Sequence, residues 1–279
     1  MKLNEAKQMT LHQKFYNFCV KVVGGGGNLR ASSRGFTLAE VLITLGVLGI
    51  VAAMTLPSLI QEHREKQRVS QLKKVYSVLS QAFLMAQTEY GDIQDWEYSS
   101  TQTCETDENG EPVLDTTGQE LFADILKKYI KQSGKTSQTF RQYLSLDGRN
   151  YSSGGSAELK DTSNKIYTAD GAVIMIGWVN KDCSRTAAGC GDIEVFLPEK
   201  TAKVGVSAFW FYITPTGIKP YGHQGHLRSF EDYCDITNSK GIEATAQGRG
   251  CTAWVLYNEN MDYLHCPKKL GWDKASKCR

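Results

Sequence analysis

Arg34-Gly35-Phe36-Thr37-Leu38-Ala39-Glu40 precedes twenty residues without a charge, Val41 through Ile60. A carboxylate at the head of an otherwise apolar, membrane-length run is chemically expensive. Inside hydrocarbon, a lone one costs roughly 2.5–3.5 kcal/mol on insertion scales, so such a residue is normally retained for a partner. Gly35 joins a basic, glycine-rich segment to the apolar run, and the junction reads as a processing site.

Charge is unevenly placed along the 279 residues, although the net value is only +2. Residues 1–35 carry Lys2, Lys7, Lys14, Lys21, Arg30 and Arg34 against Glu5 alone, leaving the remainder slightly acidic. A basic flank before an apolar span predicts a cytoplasmic N-terminus and an exported C-terminal part. The remainder has no basic excess of the kind that nucleic-acid binding requires.

Residues 1–35 read as a leader, with Gly24-Gly25-Gly26-Gly27 as a flexible tract. In a secretory signal peptide the apolar core precedes the small-residue cleavage site. Here the order is reversed, so a cut after Gly35 leaves the apolar segment on the mature chain. Leu11, Phe15, Phe18 and Val22 stand at helical spacing; a weak amphipathic turn and an over-long start both remain open for that stretch.

From Gly35 to Glu40 the chain resembles the type IV prepilin family, which includes type IV pilins and the pseudopilins of type II secretion. The likeness rests on Gly35 before the cut, Phe36 as new N-terminus, Thr37-Leu38 next, Glu40 five residues in, and Pro57 where many members carry a proline. The resemblance implies cleavage after Gly35 and N-methylation of Phe36 by a prepilin peptidase/methyltransferase. An inner-membrane assembly platform and a helical filament with itself and other pilins or pseudopilins are the further implied partners. It also implies a single-pass protein of the inner membrane before assembly, with the head periplasmic or extracellular. No cofactor, metal or catalytic role is implied.

The physics agrees with that assembly logic. Cleavage exposes a cationic amine on Phe36, and Glu40 of a neighbouring subunit can pair with it, compensating two charges that are each costly in low dielectric. Pairing of this kind selects one axial register. The bland alternative is an anchor whose Glu40 merely reaches for the interface. Phe36–Ile60 spans about 37 Å as an ideal helix, enough to cross a ~30 Å hydrocarbon core with some tilt. Ala39, Gly46, Gly49, Ala52 and Ala53 offer small surfaces to other helices. Pro57 is expected to kink or locally melt the helix, because it lacks a donor and clashes one turn back.

Past Pro57 the pattern becomes amphipathic: Leu72, Val75, Tyr76, Leu79, Ala82, Phe83 and Ala86 recur at helical spacing. One helix is expected to about Tyr90, ended by Gly91. The anticipated layout is a cleaved leader (1–35), a transmembrane and assembly helix (36–60), its amphipathic continuation (61–90) and an exported head (91–279). Within the head a second helix is expected over 118–132, with loops over 92–117 and 133–164. Strands are expected at Lys165–Thr168, Ala172–Trp178, Ile193–Leu197, Val204–Thr214 and Ala253–Tyr257. Asp170-Gly171 is a hairpin signal, and Pro215-Thr216-Gly217 ends the longest strand. The fold class is α+β and pilin-like: a long N-terminal helix packed by its second half on a small antiparallel sheet.

Eight cysteines occur, of which Cys19 lies in the leader. No Cys-x-x-Cys is present, so a structural zinc is poorly supported, and in an exported domain disulfides are the better reading. Cys183–Cys190 and Cys266–Cys278 suit local loops, Cys234–Cys251 a longer one, and Cys104 is left as the odd thiol; sequence alone does not fix the connectivity. No Gly-x-Ser-x-Gly, His-Glu-x-x-His or phosphate-binding loop occurs. His223 and His226 are open to a metal or to an ordinary exposed turn. The Thr214–His226 stretch lacks the acidic residues of a calcium loop. The basic stretch Pro267–Arg279, with Trp272, is open to a solvated loop or to a DNA- or surface-binding patch. Two functions follow: a structural subunit of a type IV pilus or type II secretion pseudopilus, or a low-copy minor pilin with an adhesive or DNA-binding head.

Overall fold

The computed structural model describes residues 37–97, 105–106, 112–113, 117–135, 137–151, 158–159, 163–183, 189–226, 228–234 and 247–278. Gly35, Phe36, Cys19 and Cys104 lie outside them. The chain divides into two units, Met1–Leu56 and Pro57–Arg279.

The first helix, α1, runs Leu38–Tyr90 and passes through Pro57 without interruption of its helical assignment. Gly91 ends the helix with φ +79° and donates its N–H to the Gln87 carbonyl at 2.9 Å, a left-handed cap that a side chain would strain. In the second unit Val69, Leu72, Val75, Leu79, Ala82, Phe83 and Ala86 are buried. Their 3–4 residue spacing puts them on one stripe. Each large member contributes about 1.5–3 kcal/mol by leaving water.

A five-stranded antiparallel sheet supplies the facing surface. Its strands are β1 (Lys165–Tyr167), β2 (Val173–Val179), β3 (Gly191–Phe196), β4 (Ala208–Thr214) and β5 (Gly217–Pro220), and neighbours in the sheet are also neighbours in sequence. Period-two alternation sorts the sheet. Ile174, Ile176, Ile193, Val195, Phe209, Phe211 and Ile213 join the core that contains the α1 stripe. Val173, Phe196, Ala208, Trp210 and Tyr212 belong to a second cluster with Phe140, Tyr143 and Tyr151 from the preceding segment. A register shift between Ile176 and Trp178 leaves Gly177 opposite no partner. A methyl group there would sit 2.1 Å from Asp192 Oδ1, so any side chain at this position would have to displace that carboxylate.

Helix α2 (Thr117–Lys127) buries Phe122, Ala123 and Leu126, with the Phe122 ring 5.2 Å from Trp96. It is shorter than the expected 118–132, because residues 128–130 turn away. The short α3 (Phe230–Tyr233) and then α4 (Cys251–Asn258) follow the sheet.

Other elements also differ from expectation. Ala253–Tyr257 lies in α4, not in a strand. Its apolar and aromatic run is buried from Cys251 to Leu256, and an all-round buried helix has no periodicity to tell it from a strand. The expected strand 204–214 begins only at Ala208, since Val204–Ser207 form a turn with Gly205 at φ +73°. Pro215-Thr216-Gly217 does end the longest strand, which stops at Thr214, and it is also the hairpin that returns the chain as β5, with Thr214 opposite Gly217. The supposed loop 133–164 also holds short paired segments, including Tyr143–Leu144 beside Ala202–Lys203.

Candidate functional site

The N-terminal site starts at the first described residue. Thr37 N donates to Glu40 Oε2 at 2.8 Å, Thr37 Oγ1 donates to the same oxygen at 2.9 Å, and Glu40 N donates back to Thr37 Oγ1 at 3.2 Å. These reciprocal bonds are a capping box, which satisfies donors left over at a helix start. The signal was present in the sequence as Thr-Leu-Ala-Glu before an apolar run. Its consequence is that the carboxylate is already ordered by its own chain, with both bonds on one oxygen.

Downstream, every residue from Leu38 to Ile60 is exposed except the partly buried Ala52. Among the described residues nothing lies within 4 Å of where a Cβ would stand at Gly46 or Gly49, so contacts with them do not require these glycines. Thr44 and Thr55 donate their hydroxyls to the Val41 and Val51 carbonyls, which hides two polar groups from lipid. The helix is long and apolar enough to cross a membrane.

In the second unit α1 is tied down by charge as well as packing. Arg68 makes a two-pronged contact with Glu199, at 2.5 and 2.9 Å. Buried Glu65 meets His265 Nε2 at 3.0 Å, Lys73 meets Glu259 at 2.6 Å, and Lys74 meets Asp170 at 3.2 Å. Only the partly buried pairs are worth much; exposed ones typically contribute under about 1 kcal/mol.

Disulfides join Cys183 to Cys190, Cys234 to Cys251, and Cys266 to Cys278. Cys234 and Cys251 are buried, so this bond couples α3 to the start of α4 inside the core. The third closes the C-terminal loop, where Asp262 Oδ2 accepts the Cys278 N–H at 2.7 Å.

The outer face of the sheet carries charges that no sequence pattern flagged. Asp192 and Glu194 alternate with core residues on β3, where a solvated edge would be the usual reading. Instead, both are half-buried, and Tyr143 donates its hydroxyl to Glu194 Oε2 at 2.9 Å. Arg249 bonds the Tyr151 hydroxyl and lies over the Tyr151 and Trp210 rings, 5.5 and 5.3 Å from their centroids. Desolvation, with the Asp192 charge beside it, pushes Glu194 up to about 8. Asp192 rises to about 6 for the same desolvation, offset in part by Arg249 and Arg228. Neighbouring His223 and His226 stand 5.1 Å apart. His223 Nε2 is engaged by the Tyr212 hydroxyl, and His226 Nδ1 accepts the Arg228 N–H at 3.1 Å. Burial lowers the His226 pKa. Among the described residues no group of three or more potential metal ligands gathers.

Two family comparisons bear on these features. Residues 30–56 match the prokaryotic N-terminal methylation motif, and residues 58–261 match a family of unknown function, DUF6613. The chain belongs to that family. No curated protein and no solved structure matches it. The methylation motif is the signature of type IV prepilins and pseudopilins, so this DUF6613 member carries a type IV pilin-like or pseudopilin N-terminus on an α+β head. The motif implies assembly into filaments with other pilins, and together with the apolar helix it fits membrane anchoring. Pilins and pseudopilins are structural proteins.

Proposed function

We propose that the chain is a structural subunit of a type IV pilus or type II secretion pseudopilus. A prepilin peptidase cuts it after Gly35 and methylates Phe36, and it then polymerises through α1. Residues 1–35 are the lost leader, 36–60 the assembly and membrane helix, 61–90 its continuation and 91–279 the exported head. The observation that carries this reading is the methylation motif running directly into an apolar helix whose surface is exposed among the described residues. The inner-membrane platform and other pilins are its partners.

Glu40 would set the register. The capping box holds its carboxylate through Oε2, which leaves Oε1 to receive the Phe36 ammonium of a neighbour. The open Gly46 and Gly49 surfaces then suit close helix approach. Mass analysis of membrane and sheared-filament fractions tests the reading: the mature chain should begin at methylated Phe36, and any other N-terminus refutes it. Glu40→Ala should be cleaved normally yet stay out of filaments; normal incorporation would remove the pairing role. Immunogold labelling along shafts supports a major subunit, and labelling at tips alone a minor one.

A further inference from the structure

We propose that a groove in the second unit, between α1, the β4–β5 hairpin and the disulfide-closed C-terminal loop, binds a neutral saccharide. Its volume is about 620 Å³, within the roughly 300–1,000 Å³ of small-ligand sites.

The walls are aromatic and fixed in place. Tyr257 is 58% exposed although it continues a helix whose previous six residues, Cys251–Leu256, are all buried. Trp272 stands with its ring centroid 6.0 Å from that of Tyr257 and 5.4 Å from that of Trp254. Its indole N–H donates to the Gly222 carbonyl and its backbone N–H to Glu231 Oε1, both at 2.9 Å. The Cys266–Cys278 bond closes the loop that carries it. Rings held this way offer flat apolar faces to the C–H face of a pyranose with little ordering entropy left to lose on binding.

The groove's polar groups suit hydroxyls. Thr216 and Gln224 present a hydroxyl and an amide; Ser80 also lines the groove, but its Oγ is buried and has no hydrogen-bond partner among the described residues. Lys219 is the only lysine, arginine or carboxylate residue in the lining. A lining without carboxylates does not suit a metal ion, and one ammonium does not suit a polyanion. A peptide strand is disfavoured as well. Strand β5 is the sheet edge here, but Pro220 has no N–H and Tyr76 covers the Ile218 carbonyl at 3.2 Å, which blunts the edge.

The test uses the unassembled full-length chain in a sugar-free detergent, so that failure of filament assembly does not bear on it. A neutral glycan array selects the binder, and tryptophan fluorescence follows titration with that glycan, beginning with chitotriose, cellotriose and maltotriose. Saturable binding is expected. Tyr257→Ala, a surface change that leaves the fold intact, should weaken it about ten-fold or more, a loss of ~1.4 kcal/mol. Lys219→Ala should change it less than about three-fold, as one exposed charge contributes little to a neutral ligand. Trp272→Phe should shift both affinity and the fluorescence response. No neutral glycan bound, binding indifferent to Tyr257→Ala, or binding only of acidic glycans that Lys219→Ala abolishes would each overturn the proposal.

Discussion

Two stretches of α1 share one backbone geometry and differ in what surrounds them. From Leu38 to Ile60 the side chains are apolar on all sides and exposed; from Glu65 to Ala86 the apolar residues form a stripe, and that stripe is buried. In the first stretch the Thr44 and Thr55 hydroxyls are satisfied by its own backbone, and Glu40 is held at the helix start by Thr37. The second uses its polar residues to grip the head through Arg68 and Glu65. The contrast shows that helicity alone does not define a role. An all-round apolar surface asks for lipid or other helices, whereas a striped one asks for a single core.

The sharpest way to break this contrast is to truncate a leucine in each stretch. Leu79→Ala or Phe83→Ala should cost the head about 3–5 kcal/mol by leaving a cavity. Leu48→Ala should shift head unfolding by no more than about 0.5 kcal/mol. Denaturant titration of the full chain in detergent, followed by tryptophan fluorescence, compares them; equal losses would dissolve the distinction.

Removing the Cys234–Cys251 bond by double serine substitution should cost about 3 kcal/mol, the value for a loop of this size. The same titration reads it, with wild type under reducing conditions as the control.

The half-buried acids of β3 give a pH signature in the head. The folded pKa of Glu194, about 8, lies above the ordinary value of 4.5, so between these limits the folded state holds more protons than the unfolded one. Stability must therefore fall as pH rises from about 4.5 to about 8. Asp192, raised to about 6 from 3.8, adds to the fall over the lower part of that range, and the two carboxylates titrate as a coupled pair. Glu194→Gln should flatten that slope, as seen in melting curves across pH 4.5–8. An unchanged slope in the variant would place the acid in solvent.

The smallest effect is expected at Lys66, whose pair with Glu62 is well exposed on both sides. Lys66→Ala should change stability by under about 0.5 kcal/mol. A larger loss would mean that the charged start of the second stretch packs against something more than water.

Much of the fold was legible because its signals are periodic. The stripe from Leu72 to Ala86 has the 3.6-residue spacing of a half-buried helix, and Ile193 and Val195 alternate with Asp192 and Glu194 as a strand should. The misread element had no such contrast. Cys251–Asn258 is buried on almost every side, and its Thr, Trp, Val and Tyr residues favour strands in isolation. Strand β5 was hidden by its own turn, since Pro215 and Gly217 mark a reversal without saying that the returning chain pairs. Asp192 and Glu194 carried the pattern of a wet face. The aromatic layer of Tyr143, Tyr151 and Trp210, from distant parts of the chain, leaves that face only half-exposed.

The sequence by itself determined what is local. A helix cap at Thr37–Glu40, an apolar run of membrane length and a motif at its head are all written in adjacent residues, because capping and hydropathy act over one or a few turns. Tertiary structure decided whatever depends on approach from afar. It turned a strand-like run into α4, half-buried two carboxylates on β3, and brought Tyr257 and Trp272 to one groove. Burial and electrostatic environment are properties of neighbours in space, and the order of residues along the chain does not state who those neighbours are.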